Sequence, residues 1–153
     1  FVDWLIRQNN SQFIRGLQFN TAYTLSSYFF REYSNGTVSY SGNPLTGVPK
    51  HVVVSSVQVK LPAYLYLFIQ HNYTASIPLN DAHTVFAAPY HLLQAKAGWG
   101  HAVSAKTRLE IYAGADNLLN VRYSLGNDLN AVGNRYYNPS PLCNYYVGFN
   151  VMF

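Results

Sequence analysis

Charge is what this sequence has least of. Ten Lys and Arg and six Asp and Glu occur in 153 residues, so 10% of the chain is charged, against roughly 25% in an ordinary soluble domain. That leaves too few ionised side chains for a water-facing surface over most of the molecule. Long apolar runs are missing as well. The longest, Ala63 to Ile69, is strand-sized and far short of the ~18–20 residues of a membrane-spanning helix. One cysteine, Cys143, excludes a disulfide within the chain. No signal-peptide pattern opens the sequence, and Phe1 starts inside a strand-like FVDWLI without an initiator Met. The expectation is the distal part of a longer polypeptide. Motifs that carry chemistry are just as scarce. His51, His71, His83, His91 and His101 are scattered, with no HExxH, no Cys–His cluster and no close carboxylate–His spacing, which argues against a protein metal site. There is no nucleophile elbow, P-loop or dinucleotide turn. The glycines of GNDLNAVGN (126–134) lack a phosphate-loop Lys and a following helix, and read as turn chemistry. The expectation is a protein that is not an enzyme, has no cofactor and does not bind nucleic acid.

Aromatics, by contrast, are plentiful: 16% of residues, with 14 Tyr. Together with Asn, Ser and Thr they suit a wall with lipid on one side and a polar cavity on the other, Tyr and Trp lying at the interfaces. The last twelve residues, LCNYYVGFNVMF, show the pattern most clearly. Tyr145, Val147, Phe149, Val151 and Phe153 fall on every second position, with Asn144, Gly148 and Asn150 between them and Tyr146 and Met152 as exceptions. Successive side chains of a strand point to opposite faces, so one face here is apolar and the other polar or small.

The same alternation recurs upstream. Residues 1–7 read as the end of a strand, followed by a turn at Gln8 to Ser11. Residues 12–31 form the longest periodic run, with Phe13, Leu17, Phe19, Tyr23, Leu25 and Phe29 on one parity and Arg15 breaking the apolar face near its start. As a single strand it would reach roughly 60 Å and project well beyond a bilayer. Strand character returns at 48–61, 64–76, 89–100, 105–117 and 142–153, with a tight turn at Pro62-Ala63 and another at His101 to Ser104. Long polar loops occupy 32–47, 77–88 and 118–141. Seven strand segments are thus joined by connections that alternate short and long. Outer-membrane barrels sort short periplasmic turns and longer extracellular loops to opposite rims, and a soluble sandwich needs no such sorting.

Within 105–117 the ionisable side chains all have even numbers. An Arg or Lys on a lipid face at the midplane costs about 2–4 kcal/mol, so Gln94, Lys96, Lys106, Arg108, Glu110 and Asp116 are expected to face the lumen. Arg108 and Glu110, two apart on one face, are expected to pair. Asp116-Asn117 reads as a strand end held by Asx side chains.

The run GNPLTGVPKH (42–51), the segment AGADNLLNVRYS (113–124), the loop LGNDLNAVGNRYYNPSP (125–141) and the aromatic terminal strand resemble the distal barrel of TonB-dependent outer-membrane receptors, in the siderophore-receptor-like branch of Bacteroidetes-type bacteria. The resemblance covers essentially the whole chain. It implies an all-β fold, an antiparallel transmembrane β-barrel of about 22 strands with a plugged lumen, of which about seven strands lie here and the plug does not. It also implies residence in the bacterial outer membrane and active import of a scarce nutrient such as a ferric siderophore. The implied partners are membrane lipid and lipopolysaccharide, the rest of the receptor with its plug, and the TonB complex that works through that plug. Tyr145, Val147, Phe149, Val151 and Phe153 resemble the signal read by the barrel-assembly machinery. Cys143 stands where such relatives often carry Arg after Pro-x-Pro.

For such a receptor, the ligand candidates are aromatic and basic residues of the long loops and upper lumen. They are Arg31, Tyr33 and Tyr40 on the first loop, His83 and Phe86 on the second, Tyr90 and His91 at the next strand, and Arg122, Arg135, Tyr136 and Tyr137 on the last. Cations attract an anionic chelate and rings pack its arms. A passive porin-like barrel and a secreted carbohydrate-binding β-sandwich are the alternatives.

Overall fold

Alternating sequences bury one face only when neighbouring strands keep matched register, and that is how this chain folds. The computed structural model describes residues 2–8 and 13–153. Seven strands, β1 (Val2–Gln8), β2 (Gly16–Leu25), β3 (His51–Lys60), β4 (Leu65–Thr74), β5 (Tyr90–Ala102), β6 (Arg108–Asp116) and β7 (Asn144–Met152), form one antiparallel sheet. Each lies beside its sequence neighbour, β1 to β7 in order. The fold is all-β and antiparallel. The sheet is open, with β1 and β7 as its edges, and no second sheet layer packs against it among the described residues. The turn expected at Gln8 to Ser11 falls largely outside the described residues.

Register is continuous from β2 to β7 and sorts the side chains by number. One odd-numbered row runs Phe19, Val57, Ile69 and Ala95 to Ala115. Another joins Leu67, Ala97, Ala113 and Val147. One even-numbered row runs Gly16, Lys60, Tyr66, Gly98, Tyr112 and Gly148. A cavity of about 760 Å³ lies on the even face, lined from β3 through β7, so the sheet curls toward that side.

From Tyr66 onward, large and small residues alternate along this even-numbered row for a steric reason. The Tyr66 ring lies where a side chain on Gly98 would begin, Tyr112 does the same over Gly148, and Tyr146 over Gly114. Each ring sits over its directly paired glycine, which covers peptide that would otherwise be bare.

Two expectations about strand length are corrected. The run 12–31 is not one strand: β2 ends at Leu25 after ten residues. Beyond it the chain stays paired irregularly, Leu45 N–H to Tyr28 O at 3.0 Å and Phe30 N–H to Asn43 O at 2.9 Å, with a single bridge between Phe29 and Pro44. Pro44 and Pro49 carry no N–H, and Gly42 and Gly47 turn the chain at positive φ, so a regular ladder stops. Arg15 precedes β2 and its side chain joins the even-face cavity, so it does not interrupt the apolar face. Lys106 is not on a strand either. It lies in the turn between Ala102 and Arg108, where Ser104 Oγ accepts the N–H groups of Lys106 and Thr107.

The tight turn at Pro62-Ala63 is present, but it is built on two residues ill-suited to it. Ala63 and Tyr64 both have positive φ, 55° and 63°, the conformation that two-residue hairpins favour and that asparagine and glycine fill best. An L side chain there costs roughly 1–2 kcal/mol. Ala63→Gly is expected to raise stability by about 1 kcal/mol once the greater freedom of the unfolded glycine is deducted, read as an upward shift of the urea midpoint.

Candidate functional site

Turn-forming residues have few apolar groups to bury, yet the three long loops build the only sizeable core among the described residues. Leu79 is fully buried; Ala87 and Tyr136 are 7% exposed, with Ile77, Val85 and Ala131 packed against them. Short paired segments stiffen each loop: Ser34–Asn35 with Val38–Ser39, Ile77–Pro78 with Phe86–Ala87, and Ser124–Asn127 with Tyr137–Pro139.

Asp81 ties the loops together. Thr46 Oγ1 donates to its Oδ1 at 2.5 Å and the Tyr33 hydroxyl to its Oδ2 at 3.1 Å. Asn43 Nδ2 donates to its carbonyl at 2.8 Å, and its own N–H donates to Asn130 Oδ1 at 2.9 Å. Asn130 N–H in turn donates to Leu79 O, and Gly47 N–H to Pro78 O. One residue of the second loop thus holds both the first and the last.

The Thr46 hydrogen bond, helped by those from Asn130 and Tyr33 and opposed by partial burial, holds the Asp81 carboxyl below its ordinary range. The bond that Tyr33 donates to Asp81 raises the phenol above its ordinary range. The two signs bracket a window. Asp81 stabilises the docked loops above the ordinary carboxylate pKa of about 4, and loses that effect as pH falls through its lowered value. Tyr33 stabilises them below about 10, and loses that effect as pH rises through its raised value. Protection of the Asp81 and Asn130 amides from hydrogen exchange, relative to the intrinsic rate at each pH, is expected to be greatest near neutrality and to fall towards both extremes. Asp81→Asn is expected to abolish the acid limb.

The candidate ligand residues divide into groups. Tyr33 and Tyr40 meet at a tilt, centroids 5.6 Å apart, and, with Asp81, Asn130 and Tyr136, line a cavity of about 380 Å³. His83 and Phe86 meet edge to face at 4.7 Å and line a second of about 380 Å³ with Tyr28 and Phe29. Tyr90, Arg122 and Tyr137 line a third of about 340 Å³, where the Tyr90 ring is tilted against Tyr123 with centroids 5.1 Å apart. Arg31 and Arg135 are exposed and line none of these three. Tyr136 is mainly a core side chain. His91 parts from the set: it is on the odd face, its ring 4.7 Å from Tyr73 and its Nδ1 3.0 Å from His71 Nε2.

Asn117, buried and at positive φ, is a structural hinge. Its side chain donates to Val121 O and Pro141 O and accepts from Val121 N–H. Asn120 Oδ1 then accepts from Cys143 N–H at 3.1 Å, so the NLLN element pins the start of β7.

Gln94, Lys96, Arg108, Glu110 and Asp116 share the even face. The expected Arg108–Glu110 pair does not form. Glu110 Oε1 instead takes the Tyr66 hydroxyl at 2.5 Å and Lys96 Nζ at 3.4 Å, and Oε2 takes Asn150 Nδ2 at 2.9 Å. Lys96 Nζ also sits 3.8 Å above the Tyr112 ring. Glu110 is directly across from Gly100, not from Lys96, so the lysine reaches it diagonally beside the Tyr66 ring that covers Gly98. The residues of the terminal pattern, Tyr145, Val147, Phe149 and Val151, lie exposed on the odd face of the edge strand β7, with Phe153 just beyond it. No family model matches the chain.

Proposed function

We propose that this chain is a wall segment of an outer-membrane β-barrel, the C-terminal part of a TonB-dependent receptor that imports a ferric siderophore with energy delivered through TonB. One observation carries the membrane reading. From β2 to β7 the odd face holds no Asp, Glu, Lys or Arg, while Lys60, Lys96, Arg108, Glu110 and Asp116 all lie on the even face. The odd face is apolar at mid-height. Toward the long loops it carries Tyr23, His51, His71, Tyr73, His91 and Tyr145, and toward the short turns Trp99 and His101. That is the arrangement of a lipid-facing band between two aromatic girdles. Strands β2 to β7 have 9 to 13 residues, enough for the ~9–11 that a tilted strand needs to cross a bilayer.

In this reading the interlocked loops capture the ligand outside the cell, and the ligand then moves along the even face once the plug is displaced. Two measurements test it in a bacterium carrying the gene. The protein is expected in the outer-membrane fraction, with heat-modifiable migration in detergent; recovery as a soluble secreted protein would remove the membrane assignment. Deleting the gene is expected to slow growth when a ferric siderophore is the sole iron source. Unchanged growth on every iron source would remove the siderophore while leaving the barrel.

A further inference from the structure

The cavity on the even face has a lower end, toward the short turns, that the Glu110 cluster does not fill. Four cations line it, Arg15, Lys60, Lys96 and Arg108, against the one carboxylate of Glu110. Lys96 satisfies that carboxylate, and theirs is the one ion pair among the described residues. Among the described residues, Arg15, Lys60 and Arg108 therefore face a shared space with no counter-charge. Arg15 Nε is buried and has no hydrogen-bond partner among them.

The backbone sets Arg15 beside Lys60, and Arg108 lines the same cavity from β6. Arg15 N–H donates to Lys60 O at 2.9 Å, which sets the two residues side by side. Gly16 and Gly100 give them room: the Lys60 methylenes lie over Gly16 and the Arg108 guanidinium beside Gly100. Leu61, Leu65, Phe68 and Met152 supply apolar stretches of the wall, and low-dielectric walls around charges of one sign concentrate their field. At about 760 Å³ the cavity falls within the range of small-molecule sites, roughly 300–1,000 Å³.

We infer that Arg15, Lys60 and Arg108 form a binding site for a small polyanion, a molecule bearing several carboxylate or phosphate groups. Two guanidiniums can each grip an anionic group with paired N–H donors, and the Lys60 ammonium adds a third point charge. This site is at the opposite end of the sheet from the loop cavities. Equilibrium binding requires no transport, so its test is independent of the growth experiment.

The test is calorimetric titration of the protein as its gene encodes it, in detergent micelles, with citrate and with pyrophosphate. At least one probe is expected to bind, more weakly as salt is raised; the tighter of the two assigns the group as carboxylate or phosphate. Arg15→Gln and Arg108→Gln are each expected to weaken binding by roughly tenfold, about the worth of one charge-assisted hydrogen bond. Arg108→Lys keeps the charge but not the paired donors and is expected to lose less affinity than Arg108→Gln, which separates loss of the site from loss of the fold. Lys106→Gln, in the adjacent turn, is expected to change nothing. Binding of neither probe by the unaltered protein would overturn the assignment. So would an equal loss in Lys106→Gln and Arg108→Gln.

Discussion

Arginine in place of Ala113 is expected to destabilise the protein in a bilayer by about 2–4 kcal/mol. Ala113 is near the middle of β6 on the odd face, between Ala97 and Val147 in register. No carboxylate shares that face from β2 to β7, so a guanidinium there has neither water nor a counter-ion within the wall. The matched control is Gln94→Arg on the even face, where the main loss is a 3.3 Å contact with Gln70 and the expected cost is no more than about 1 kcal/mol. Equilibrium unfolding from lipid vesicles measures both. Equal costs on the two faces would show that the odd face does not meet hydrocarbon, and the membrane assignment would fall with it.

The second large effect is expected at Gly98. Valine there would occupy the volume of the Tyr66 ring, and overpacking of this kind costs about 1–3 kcal/mol. The ring cannot move freely, because its hydroxyl is bonded to Glu110 and Lys96 is 5.5 Å from its centroid. A shift that relieves the clash therefore also loosens the Glu110 cluster. A double-mutant cycle isolates the cause: in a Tyr66→Ala background the same valine should cost within about 0.5 kcal/mol of nothing, since the obstructing ring is gone. A penalty that persists in full would mean that the glycine is required for another reason.

Why one part of this architecture was readable and another not follows from how far each contact reaches. The seven strands were visible because alternation is a local property: Val53, Val57 and Val59, or Leu109 and Ile111, declare their face without reference to any neighbour. Strand ends were less so. Phe29 keeps the parity of Phe19 and Tyr23, but the prolines that stop the ladder belong to the returning segment some fifteen to twenty residues later. The Arg108–Glu110 expectation failed because residues two apart on a strand are separated by about 7 Å, whereas a lysine on the next strand can reach across diagonally and arrive closer. Tyr66 over Gly98 is a relation of register, invisible until β4 and β5 are aligned. The hub at Asp81 was missed for a different reason. Thr46, Asn43 and Asn130 are ordinary turn residues, and nothing in a turn sequence tells whether its amides close on themselves or on another loop.

The tyrosines that lean over glycines have a consequence for shape. A tyrosine standing upright would reach several ångströms into the space enclosed by the curl; one leaning over a glycine takes up less depth. Tyr66, Tyr112 and Tyr146 thus line that side with ring surface seated over glycine. If that side is the lumen proposed above, a solute moving along it would meet smooth, sticky panels in place of a thicket of protruding side chains.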